Sequence, residues 1–106
     1  PDKKLYSLPD LPYAYNALGL YLEAQLRLHH DKHHAAYVNG ANAVLDRLEK
    51  ARQAGSDLDM KATLKELSFQ AGGHVLHSLF WGNLAPAAKA GKEPGGALAE
   101  VLKKEF

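Results

Sequence analysis

The chain has 106 residues, 46% of them hydrophobic and 24% charged, with a formal net charge of +1. That is the material of one globular domain, and its charge is too balanced to imply nucleic-acid binding. It contains no cysteine, which excludes disulfides, thiolate metal sites, iron–sulfur clusters and cysteine nucleophiles, and no run of 18 apolar residues predicts a membrane span.

Residues 1–15 include Pro1, Pro9 and Pro12. Their spacing breaks helix and predicts an extended arm anchored by Tyr6, Leu8, Leu11, Tyr13 and Tyr15. A helix is predicted from Leu18 to about Ala54, with Asn16 as its N-cap. Its apolar line runs Leu22, Leu26, His29, His33, Tyr37, Ala41, Val44, Leu48. Asn39-Gly40 marks an expected kink. Gly55 is placed as the residue ending the helix, and Ser56 or Asp57 as the cap of the next. The second helix is predicted from Met60 to Asn83. Its Gly72-Gly73 pair offers close backbone approach or room for a neighbouring group. A loop, Asn83 to Gly96, precedes a short amphipathic helix, Ala97 to Phe106.

The predicted fold class is all-α: a long antiparallel α-hairpin behind a Pro-rich arm, with a short third helix at the end. It is treated as one domain, 1–106. No alternating strand pattern, repeat or low-complexity stretch appears. The hairpin has apolar residues to spare, so it calls for another domain or another copy of itself.

The chemistry lies in six histidines. His29, His30, His33 and His34 form two i,i+4 pairs rotated by about 100° from each other. His74 and His77 are i,i+3, ahead of Phe80 and Trp81. Imidazole is the commonest protein metal ligand. For the first cluster, spacing leaves two readings open: ligation, or surface histidines with one satisfied in the core. For the second cluster alone, core packing is the plainer reading. The two together, on antiparallel neighbours, favour a metal site. H-E-x-x-H, E-x-x-H, G-x-S-x-G and phosphate-loop motifs are absent.

Three segments, Leu8-Pro-Asp-Leu-Pro-Tyr13, His29-His-Asp-Lys-His-His-Ala-Ala-Tyr-Val-Asn39 and Gly72-Gly-His-Val-Leu-His-Ser-Leu-Phe-Trp81, closely resemble the iron/manganese superoxide dismutases. The resemblance covers the amino-terminal hairpin domain of that family and only that domain. It implies that His29 and His77 are two of four protein metal ligands. It implies that His33 and Tyr37 are second-sphere residues at the substrate entrance, and that Phe80 and Trp81 form an aromatic wall. His30, His34 and His74 are then expected to be structural or solvent-facing. The implied cofactor is manganese or iron, one ion per full-length subunit, alternating in redox state while superoxide becomes dioxygen and hydrogen peroxide. Gly73, where iron-type hairpins often carry glutamine, looks like the manganese type, so manganese is preferred. Leu76 departs from the usual asparagine.

The resemblance implies that the other two ligands, an Asp and a His, come from a carboxy-terminal α/β domain, of which no segment is present. That missing domain is the implied partner, together with further copies in a homodimer or homotetramer. No nucleic acid or membrane partner is expected. The unterminated end at Phe106 suggests a truncation, and the fragment alone is expected to be inactive. Pro1 fits a cytoplasmic protein that has lost its initiator Met, or a mitochondrial-matrix protein after presequence removal. The alternative to an enzyme is a stand-alone hairpin that self-associates as a structural or adventitious metal-binding bundle.

Overall fold

A computed structural model describes residues 4–106, so Pro1 lies outside the described residues. Helices α1 (Glu23–Leu28), α2 (Ala35–Ala54), α3 (Met60–Gly82) and α4 (Gly96–Glu105) are joined by turns, with a π-helical segment, His29–His34, between α1 and α2. The described residues contain no strand, and none of their helices is long and apolar enough to cross a membrane. α1, the π segment and α2 form one continuous rod, and α3 returns along α2. This is the predicted hairpin.

The first helix starts later than expected. Asn16 is not its N-cap; it lies in a turn closed by Ala17 N–H to Ala14 O at 3.0 Å. Leu20 N–H then reaches Leu18 O at 2.8 Å around Gly19, whose φ is +70°. A left-handed residue inside a three-residue turn cannot continue a helix. The helix therefore begins at Glu23, after the extended Leu22.

The irregularity expected at Asn39-Gly40 lies instead at His29–His34, and α2 runs regularly through Gly40. The buried line moves with it. Leu26, His30, His34, Val38, Ala41 and Val44 are buried, whereas His33 is exposed and Leu22 is 59% exposed. A π turn is wider than 3.6 residues, so side chains four apart stay in one line through the wider segment. The line read at strict α period therefore drifts off the core.

Gly55 ends α2 as predicted, with φ 61°. Ser56 N–H bonds Ala51 O at 3.1 Å, which satisfies a carbonyl at the helix end. That turn consumes Ser56, so the next cap falls on Asp59 rather than Ser56 or Asp57. Its carboxylate accepts from Ala62 N–H at 3.0 Å. α3 then passes through Gly72-Gly73 unbroken. A Cβ on Gly73 would enter the Tyr37 ring, and a Cβ on Gly40 would enter the Gln70 side chain. These two glycines let α2 and α3 approach each other.

The arm packs at the Trp81 end of the hairpin. Leu18, Leu26 and Trp81 form a buried cluster flanked by Leu11, Tyr13, Tyr15, Tyr21, Phe80 and Leu84. Tyr13 OH donates to Trp81 O at 3.0 Å, and His30 Nε2 lies 2.7 Å from Pro9 O. Asn42 exchanges two hydrogen bonds with the Tyr6 backbone, at 3.0 and 2.9 Å. The remaining apolar surface stays uncovered. Phe69, Leu76, Leu79, Leu98 and Val101 are more than half exposed, and α4 packs on none of the other helices. The radius of gyration is 18.9 Å, against ~13 Å for a compact domain of about this length.

Candidate metal centre

His29 opens the π segment, His33 follows four residues later, and His77 comes from the facing stretch of α3. Their available nitrogens all lie within 4.8 Å of one another. His77 Nε2 is 3.1 Å from His29 Nε2. Two imidazole nitrogens bound to one ion at about 2.1 Å stand ~3.0–3.4 Å apart for cis to tetrahedral angles. The observed gap lies within that range, so these residues fit a metal.

The outer nitrogens support the same conclusion. His77 Nδ1 lies 2.7 Å from Gly73 O. A carbonyl only accepts, so Nδ1 carries the proton and Nε2 keeps its lone pair for the centre. His29 Nδ1 lies 2.6 Å from Tyr21 OH, a partner of the kind that orients a ligating imidazole. Burial pushes the His29 pKa down, and the nearby His77 and His33 push it further. A neutral imidazole is the form that binds a metal.

Aromatic rings surround the imidazole cluster. The rings of Trp81 and Phe80 lie 4.9 and 5.4 Å from that of His29. The ring of Tyr37 lies 5.2 Å from His77 and 5.4 Å from His33. On the outer side, Leu28, Lys32, His33, Ala36, Tyr37, Phe69 and Gln70 line an open groove of about 620 Å³. His33 thus belongs to both the imidazole cluster and the groove, and Tyr37 lines the groove beside it.

Of the three other histidines, expected to be structural or solvent-facing, two are buried in the packing. His34 is fully buried and His30 is 4% exposed. Trp81 Nε1–H donates to His34 Nδ1 at 2.9 Å, and His34 Nε2 meets His74 Nδ1 at 2.8 Å. His30 bridges Pro9 O and Asp31 Oδ1, each at 2.7 Å. Burial, with His74, His77 and His30 nearby, lowers the His34 pKa from 6.5 to about 4. Tyr21 was not foreseen at all. It stands eight residues before His29, in a segment of turns without periodicity, so no spacing could have linked the two.

Residues 5–85 match the family described as iron/manganese superoxide dismutases, alpha-hairpin domain. The chain is 58% identical over 106 residues to "Superoxide dismutase [Fe]" of Methanothermobacter marburgensis, covering 99% of this chain and 52% of that protein. It is 46% identical over 104 residues to "Superoxide dismutase [Mn/Fe]" of Aeropyrum pernix, covering 97% and 49% respectively. It is 48% identical over 102 residues to "Superoxide dismutase [Mn]" of Nocardia asteroides, covering 95% and 48%. The chain spans about half the length of these curated relatives.

Proposed function

Because this chain belongs to the iron/manganese superoxide dismutase family, we propose that it supplies two of the protein ligands, His29 and His77, to the metal centre of a superoxide dismutase. The observation that carries this reading is the 3.1 Å approach of the two Nε2 atoms from different helices. His33, third in the cluster, is read as a second-sphere residue with Tyr37, and Phe80 and Trp81 as the pocket wall. The whole of 1–106 is taken as the hairpin domain. The remaining ligands are assigned to a carboxy-terminal domain, within a homodimer or homotetramer.

A bound iron or manganese ion would supply one-electron redox chemistry in both directions. The residues of this chain do the rest. Gly73 O holds the His77 tautomer and Tyr21 holds the His29 ring. Phe80 and Trp81 keep water from the His29 side, which sharpens local electrostatics and the tuning of a redox ion. Lys32 on the groove wall attracts a small anion such as superoxide. Reduction of superoxide to hydrogen peroxide consumes two protons. In this reading the Tyr37 phenol delivers one, with the His33 ring packed 5.4 Å from its own.

Iron and manganese both stay within the proposal. Gly73 argued for manganese, while the relative at 58% identity is named for iron and the one at 46% for both. The cytoplasmic location is retained as our reading, and nothing in the comparisons favours the mitochondrial one.

The test uses the whole polypeptide, reconstituted separately with each metal. His29→Ala and His77→Ala should each abolish stoichiometric metal binding and dismutation. His33→Ala should keep the metal while slowing turnover. Loss of metal in His33→Ala equal to that in His77→Ala would make it a third ligand instead. Full activity in His77→Ala would end the proposal.

A further inference from the structure

Trp81, His34 and His74 form a hydrogen-bonded chain behind the imidazole cluster, and the chemistry proposed for the centre makes no use of its middle member. An indole N–H can only donate. His34 Nδ1, 2.9 Å away, must therefore accept. The neutral His34 ring then carries its proton on Nε2 and donates to His74 Nδ1 at 2.8 Å. His74 in turn carries its proton on Nε2. One neutral arrangement satisfies every contact, and no buried side-chain nitrogen or oxygen among the described residues lacks a partner.

The indole held this way is 2% exposed, and its ring stands edge-on to His29 at 4.9 Å and 72°. His34 lies beside the imidazole cluster, its ring 5.4 Å from that of His77, and it is fully buried. Its Nδ1 holds the indole N–H, and the indole held there presents its edge contact to the His29 ring.

We propose that His34 is a positioning residue that orients Trp81 against His29 by accepting the indole hydrogen bond. The proposal rests on the dismutase reading only in taking His29 as a metal ligand. A residue that merely filled the core would be replaceable by any side chain of similar volume. A positioning residue needs an acceptor at the Nδ1 site.

Two substitutions separate these roles. His34→Asn puts its Oδ1 where Nδ1 was and keeps the acceptor for Trp81. His34→Gln reaches the Nε2 site, keeps the bond to His74 and leaves the indole unpaired. The readout is solvent exchange of the Trp81 indole proton, followed by NMR in the metal-free, 15N-labelled whole polypeptide. The resonance is identified as the one absent from Trp81→Phe. His34→Asn should hold exchange near the parent rate, whereas His34→Gln should raise it about tenfold, the order expected for a lost buried hydrogen bond. After loading with ferric iron, the visible absorption of the Gln variant should shift and that of the Asn variant should not.

Equal exchange rates in the two variants, or rates unchanged from the parent in both, would overturn the proposal and leave His34 a core filler. The Asn/Gln pattern in a protein that lacks dismutase activity would support the positioning role while removing the functional reading.

Discussion

The π segment has two faces, and the same residue type does opposite work on each. His30 and His34 face inward, and their ring nitrogens are engaged by Pro9, Asp31, Trp81 and His74. His29 and His33 face the cleft toward His77, with nitrogens converging on a common point. Each pair has i,i+4 spacing, so spacing does not distinguish ligand from scaffold. The difference lies in which nitrogens already have a protein partner. A lone pair used by an N–H of the fold is lost to a metal, whereas the Nε2 atoms of His29 and His77 meet only each other across the cleft.

The comparison breaks most sharply at His34. Replacing it with Ala removes two buried hydrogen bonds and opens a cavity, so urea denaturation of the metal-free protein should show a loss of about 3–5 kcal/mol. A loss under about 1 kcal/mol would show that the inner face is not a scaffold. Gly73→Ala should come next. Its Cβ would enter the Tyr37 ring, and overpacking of this kind costs roughly 1–3 kcal/mol. The same variant should displace Tyr37 and slow turnover, which a stopped-flow assay would read.

Tyr21→Phe probes the outer face. It removes the partner of His29 Nδ1 and should weaken metal affinity by about tenfold, the lower end for an outer-shell change. Competition against a chelator measures it. Unchanged affinity would mean that Tyr21 packs without orienting the ligand.

The pH response sharpens the same contrast. Folding holds the His34 pKa near 4, below its ordinary 6.5. Between those values the unfolded chain binds the extra proton, so stability of the metal-free protein should fall as pH drops from 6.5 toward 4. Above 6.5 the term is constant. Thermal melts across that window should flatten in His34→Gln relative to the parent, and an unchanged slope would assign the acid sensitivity to other groups. The smallest effect belongs to exposed His33. Its replacement by Ala should move metal-free stability by no more than about 0.5 kcal/mol.

Much was legible from residue order. The hairpin, the stop at Gly55, the loop before α4 and the uncovered apolar surface follow from period, glycine and proline. These are local chemical preferences that neighbouring residues express without distant help. The pairing of His29 with His77 was legible from the resemblance, and each motif alone left the bland reading open. The late helix start, the Asp59 cap and the inward turn of His30 and His34 were not legible. Gly19 in a left-handed turn looks like any glycine in sequence. The π segment has the composition of an ordinary helix, so its wider turn carries no local signature. The sequence by itself determined that helices would form, where α2 would stop and which residues could carry imidazole chemistry. Tertiary structure alone decided which imidazoles are free to bind. For His34 that choice depends on hydrogen-bond partners 40 or more residues away, His74 and Trp81, and no local preference encodes such partners.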